Sequence, residues 1–294
     1  MTDMPTADSP TADSPMTGSA MTEGPATDRP ASDAVPALQV AGLSLRFGAV
    51  HALDDVSFDV RAGELFAIIG PNGAGKTSLF NLLSRIYDPT AGTIHYFGDD
   101  MIRLRPHHLA GVGIARTFQN LGLFRQNSVL DNVLVGRSHL MQAGAVRTGL
   151  SLPSVRRSER ANRAAAMEAL EFVGLTSVAH LPVGILPYGT QKRIELARAL
   201  SMEPRLLLLD EPVAGMSRDE RGVIAGLISQ MHHDRSLSIV LVEHDMGFVM
   251  SLAERVLVLD FGRQVALGSP DEVQANPEVI RAYLGEPVEA EAAS

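Results

Sequence analysis

The 294-residue chain contains no cysteine. That excludes disulfides, iron–sulfur clusters and thiolate zinc sites, and accords with a reducing compartment. Long apolar runs are missing too. The longest, around Leu206–Leu209 and Ile239–Val242, have the length of buried strands, far short of the roughly 18 to 20 residues that span a bilayer. Basic residues are outnumbered, 25 Lys and Arg against 34 Asp and Glu, for a formal net charge of −9; this argues against a broad nucleic-acid-binding surface. The N-terminus has neither the basic nor the apolar region of a secretory signal. A soluble, cytoplasmic protein without nucleic acid among its partners is expected. Its 45% hydrophobic content is ample for a sizeable core.

Residues 1–36 stand apart. Pro5-Thr6-Ala7-Asp8-Ser9 recurs as Pro10-Thr11-Ala12-Asp13-Ser14, then decays into further Thr, Asp, Ser and Pro. Six acids face one base, Arg29, so this stretch supplies −5 of the total charge. Such a composition cannot bury enough apolar area to offset its ordering entropy and predicts a disordered tail, passive or regulatory. Residues 287–294 are expected to be a flexible end, which leaves 37–286 as the folded domain.

From Ala37 the texture changes. Leu43–Phe47 and Val56–Val60 alternate as half-buried antiparallel strands do. Leu65–Ile69 is a continuous apolar run ending in glycine, and similar runs occupy Leu206–Leu209, Ile239–Val242 and Val256–Leu259. Buried strands alternating with helical patterns predict an α/β domain with a mainly parallel sheet. The antiparallel strands precede it, and a helical subdomain is expected as an insertion over about residues 100–185, where Asn162–Val173 is rich in alanine and long side chains.

Gly70-Pro71-Asn72-Gly73-Ala74-Gly75-Lys76-Thr77 matches the G-x-x-x-x-G-K-[ST] phosphate loop in full, after a buried strand and before the helical Ser78–Leu83. Glycines let successive backbone N–H groups turn inward around a phosphate chain, and the helix N-terminus adds partial positive charge. Asn72, Gly73, Gly75, Lys76, Thr77 and Ser78 are therefore candidate nucleotide-binding residues, with Lys76 neutralising the β- and γ-phosphates and the Thr77 hydroxyl ligating Mg²⁺. Leu206–Leu209 deliver Asp210 to the carboxyl end of a strand, where α/β sheets bind ligands. Asp210 is placed to hold Mg²⁺ or its water. Glu211, one residue on, is the candidate base for an attacking water. His244 lies beyond the apolar strand 239–242 and is a candidate γ-phosphate contact; His51, His107, His108, His232 and His233 have no comparable setting.

These elements in this order resemble the ATP-binding-cassette (ABC) ATPases, a P-loop fold, over about residues 38–285. The resemblance implies ATP hydrolysis with Mg²⁺. It also implies that each ATP is sandwiched between two cassettes, identical or different. Phe47 occupies the position of the aromatic residue that stacks on adenine. Gln119, in Arg116-Thr117-Phe118-Gln119-Asn120, matches the glutamine that senses Mg²⁺ and the attacking water, which adds it to Thr77 and Asp210 as a metal candidate. Pro187, Tyr188, Gly189, Thr190 and Gln191 lie where the signature loop belongs, and Ala214–Ser217 where the D-loop does. The signature departs from the pattern: Pro187 replaces the serine that contacts the partner's γ-phosphate, Tyr188 a glycine and Thr190 the glutamine.

Within the family the chain is most similar to the larger ATP-binding subunit of branched-chain amino-acid importers. Three features carry this: the extra segment Gly136–Arg160, the Tyr-Gly signature and the ending Asn276–Glu286. Four arginines of the segment, Arg147, Arg156, Arg157 and Arg160, are candidates to face partner acids or lipid head groups. The ending also looks like lipopolysaccharide-export ATPases, so an exporter subunit, or a soluble ABC ATPase, is the alternative. The resemblance implies peripheral attachment at the cytoplasmic membrane face, two membrane permease subunits received around Leu121–Phe124, and indirectly an extracytoplasmic solute-binding protein.

Overall fold

The computed structural model describes residues 35–117, 122–140 and 153–284. Two sheets organise them. β1 (Leu38–Phe47) and β2 (Val50–Val60) form an antiparallel hairpin, joined by β4 (Ala91–Tyr96) and β5 (Asp99–Asp100) in the order β2-β1-β4-β5. The hairpin register slips between Val40 and Arg46. Two serines absorb the irregularity: Ser57 Oγ accepts from the Gly42 N–H at 2.8 Å and Ser44 Oγ from the Asp55 N–H at 3.0 Å.

The second sheet has the order β10-β9-β3-β8-β7-β6. β3 (Leu65–Ile69), β7 (Leu206–Asp210), β8 (Ser238–Val242) and β9 (Arg255–Asp260) follow the apolar runs read from the sequence. β6 (Ile114–Arg116) pairs parallel to β7, and β10 (Arg263–Gly268) closes the far edge antiparallel to β9. The stretch 100–185 is thus not wholly helical, since β6 belongs to the main sheet. Three residues are too few to show a period, which is why composition hid it.

Both faces of this sheet are buried. Leu65, Ala67, Ile69, Leu207 and Leu209 point into one core, Phe66, Ile68, Leu206 and Leu208 into the other. The second core contains α1 (Lys76–Leu83) and the smaller sheet. The first is shared with α2 (Val129–Gly136), α3 (Pro153–Phe172), α4 (Tyr188–Leu200) and α5 (Arg218–Arg235), through residues such as Leu130, Ala169, Ile194 and Ile228. α4 packs on α2 and α3, so the helical layer continues beyond residue 185. Three short helices complete the described residues: α6 (Met246–Met250), α7 (Pro270–Ala275) and α8 (Pro277–Leu284). Among the described residues no helix is long and apolar enough to cross a membrane.

Candidate nucleotide site

The carboxyl ends of β3, β7 and β8 bring the phosphate loop, Asp210, Glu211 and His244 together. The loop from β3 to α1 is sterically confined to glycine at two places. A Cβ on Gly70 would lie 2.2 Å from the Leu259 carbonyl oxygen, and one on Gly75, at φ +101°, 2.7 Å from that of Ala52. Neither clash involves a side chain that could move aside. Gly75 is the N-cap of α1 and no side chain caps the helix, so its first N–H groups are left for an outside acceptor. Asn72, Gly73 and Thr77 are exposed and Ser78 is half-buried. Lys76 folds back over the loop, its Nζ donating to the carbonyls of Gly70 at 2.6 Å and Pro71 at 2.9 Å. Burial lowers its pKa, and the nearby charge of Glu211 partly offsets this.

Asp210 ends β7 with its carboxylate buried. Burial raises its pKa, against the opposing pull of Arg116, whose Nη2 lies 2.9 Å from Oδ2. Arg116, the last residue of β6, also donates through Nη1 to Asn81 Oδ1 at 3.0 Å and Ser84 Oγ at 2.8 Å. Its guanidinium lies 5.1 Å from the centre of the Phe80 ring. One guanidinium therefore joins β6, β7 and α1 beneath the site. The sequence reading quoted Arg116 only as a neighbour of Gln119 and gave it no role.

Glu211 adopts φ +46°, which is costly for a residue with a Cβ. Its N–H donates to the Val242 carbonyl at 2.9 Å, so the turn is tied to the end of β8. His244 Nδ1 stands 3.8 Å from Glu211 Oε1, and its side chain is 59% exposed. Glu211 and His244 thus share one side of the site. Gln119 lies outside the described residues, as do Leu121, Arg147, residues 1–34 and residues 285–294.

Phe47, at the end of β1, meets Tyr87 edge to face with centroids 5.3 Å apart, and both rings are partly exposed. Tyr87 carried no signal in the sequence. In the signature stretch α4 starts at Tyr188, so Pro187 is its N-cap and supplies no side-chain bond. Tyr188 Oη donates to the Ala214 carbonyl at 3.3 Å, Gln191 Nε2 donates to the Leu186 carbonyl at 2.8 Å, and Thr190 Oγ1 accepts from Arg193 at 3.4 Å. Gly189 is buried against Glu220, whose Oε1 a Cβ would approach to 2.4 Å.

A divalent cation fits this donor set. Mg²⁺ takes one or two carboxylates with phosphate and water oxygens rather than an all-protein cage. Asp210 and the exposed Thr77 hydroxyl offer that sparse set, and no cluster of three or more His, Cys, Asp or Glu fit for a metal occurs among the described residues.

Comparison with known proteins agrees with the geometry. The family described as "ABC transporter" matches residues 53–214. The high-affinity branched-chain amino acid transport ATP-binding protein BraF of Pseudomonas aeruginosa is 39% identical over 251 residues, covering 85% of this chain and 98% of that protein. The chain belongs to the ATP-binding-cassette family and is an ABC ATPase. Its end carries a narrower mark, since residues 263–289 match the family "Branched-chain amino acid ATP-binding cassette transporter". The high-affinity branched-chain amino acid transport ATP-binding protein LivG of Escherichia coli is 40% identical over 253 residues, again 85% of this chain and 98% of the relative. A nucleotide-free cassette from an ABC transporter superposes with TM-score 0.74 at 26% identity, covering 85% of this chain and all of that one. The ADP conformation of the cassette MJ1267 does so with the same score and identity, covering 85% of this chain and 99% of that one.

Proposed function

We propose that this chain is the ATP-hydrolysing subunit of an importer for branched-chain or related amino acids, bound at the cytoplasmic face of the membrane. The observation that carries this reading is the 39–41% identity to the branched-chain amino-acid transport ATP-binding proteins along nearly their whole length, extended by the family match at residues 263–289.

The site supplies the chemistry. The backbone N–H groups of the 70–77 loop and Lys76 hold the phosphates, Phe47 receives the adenine, and Thr77 and Asp210 hold Mg²⁺, with Gln119 as a further contact. The ion neutralises charge on the phosphate oxygens when bound. Glu211 orients the water that attacks the γ-phosphorus as the bond to the ADP oxygen breaks. His244 and Lys76 stabilise the charge that develops, so the protein contributes position and electrostatics rather than covalent chemistry. The signature loop, Pro187 to Gln191, serves the nucleotide of a second cassette, identical or different, so two cassettes close around two ATP molecules.

Two permease subunits complete the assembly, fed by an extracytoplasmic binding protein. An apolar groove of about 470 Å³, lined by Ile86, Leu109, Ile114, Gly122, Val135 and Ala199, supports docking of their cytoplasmic segments. The test is reconstitution with the permeases and binding protein in liposomes with ATP on the cassette side. Labelled leucine should accumulate, and Glu211→Gln should stop it. ATP-dependent efflux instead of uptake would sink the importer reading, and accumulation unchanged by Glu211→Gln would remove the assigned base.

A further inference from the structure

Glu243 is the one carboxylate side chain among the described ion pairs with no exposed surface at all, at 0%. It lies between the last residue of β8 and His244, in a strand-to-helix loop where an ionised group bears the full cost of burial. Burial indeed raises its pKa, opposed by backbone N–H groups. Its two oxygens go to different loops. Oε1 accepts from the Val213 N–H at 3.1 Å, and Oε2 accepts from the His244 N–H at 3.0 Å. Val213 stands two residues beyond Glu211. The carbonyl of the next residue, Ala214, accepts from the signature-loop hydroxyl of Tyr188. The His244 ring lies between the two acids, with Nδ1 3.6 Å from Glu243 Oε2 and 3.8 Å from Glu211 Oε1.

We infer that Glu243 is a positioning residue for hydrolysis, a buried clamp that holds the loop carrying Glu211 and the loop carrying His244 as one rigid piece. This rests on the roles proposed above for those two residues. Only an ionised carboxylate offers acceptors alone on both oxygens. A glutamine of the same shape would satisfy one N–H and turn its own NH₂ donors on the other. Neither clamped loop belongs to the phosphate loop between β3 and α1, so disturbing the clamp costs turnover and spares ATP binding. The clamp also reaches Tyr188 through Ala214, which ties the histidine of one site to the loop that serves the other.

The experiment uses the full-length chain and measures steady-state ATP hydrolysis, fluorescent-nucleotide binding and thermal midpoint for Glu243→Gln, Glu243→Asp, His244→Ala and the Gln/Ala double variant. Glu243→Gln should lower kcat at least tenfold with KM and nucleotide Kd within twofold of the parent. Glu243→Asp, which keeps both acceptors, should recover part of the loss. The double variant should lose less than the product of the two single losses, because the lesions share one element. Glu243→Gln with kcat within twofold of the parent, beside an impaired His244→Ala, would overturn the clamp and leave the reading of His244 standing. Equal losses in the Gln and Asp variants, tracking the thermal midpoint, would reduce Glu243 to a packing residue. Normal turnover in His244→Ala would remove the histidine and the route through it together.

Discussion

Two loops of this molecule each bring the N-terminus of a helix to the surface, and they are built on opposite plans. Before α1, the chain uses glycines packed against backbone, leaves the helix without a side-chain cap, and folds its one lysine onto its own carbonyls. At the start of α4, Tyr188, Thr190 and Gln191 are all engaged by groups of the same chain, and Pro187 presents neither N–H nor hydroxyl. The first loop is equipped to wrap a phosphate chain alone. The second offers backbone donors and a dipole, and its side chains are turned to its own fold. On the roles proposed above, the hold on nucleotide is concentrated in the first loop, and the contact across the proposed dimer is the weaker of the two.

The largest expected effect tests the chemistry beside the first loop rather than that loop's grip. Glu211→Gln should cut turnover by about 10² to 10⁴, the usual contribution of a general base, while fluorescent-ATP binding stays unchanged. Near-normal turnover would take Glu211 out of the mechanism. Lys76→Ala should act on affinity instead. Losing hydrogen bonds to charged phosphate, at about 1.5 to 3 kcal/mol each, weakens binding by about ten- to a hundredfold, read by the same titration. Unchanged affinity would mean that the loop's N–H groups suffice.

The second loop should respond in the opposite sense. Pro187→Ser restores a hydroxyl at the N-cap of α4 and should tighten ATP-driven dimerisation by about tenfold or more, since a dimer of identical chains makes the contact twice. Sedimentation in a Glu211→Gln background, where ATP is not consumed, measures it. Monomer affinity for ATP should stay the same. A serine at that position also caps its own helix, worth about 1 kcal/mol. A higher thermal midpoint with equal dimer fractions would therefore show the hydroxyl retained within the chain and the comparison of the loops overstated. The smallest effect belongs to the tail. Removing residues 1–36, whose composition gives them no core to join, should leave the thermal midpoint and ATP binding within error.

Legibility divides along the same line as the two loops. β3, β7 and β8, the phosphate loop and the Asp210-Glu211 pair are strictly local patterns, a run of apolar residues followed by polar ones, and each could be placed from its own ten residues. What escaped was non-local. Arg116 and Asp210 are 94 positions apart, and their pairing depends on β6, a strand too short to leave a periodic trace. Glu243 reads in sequence like any surface acid at the end of a strand, because burial on that side comes from a loop 30 residues earlier. Tyr87 meets Phe47 only because the chain returns from α1 toward the hairpin end. The altered signature was visible as a change of residues, but that its polar groups are satisfied within the chain depended on Ala214 and Leu186 being in reach.

The four leucines of β7 raise a problem of phase. Slid by one position, the strand still puts leucine in place of leucine at three of its four core positions, and only the residue arriving at the end, Arg205 or Asp210, differs. Packing energy alone is nearly blind to that slip, although sheets elsewhere fix their register by the difference between faces. The zero of the scale is set at the ends of the strand. Arg116 grips Asp210 at one end, and at the other the Arg205 N–H is held by the Gly113 carbonyl at 2.8 Å. The acid proposed to hold Mg²⁺ thereby doubles as the vernier mark for its own strand, and a shift of one notch would carry Asp210 and Glu211 about 3.3 Å along the sheet, away from the groups they face.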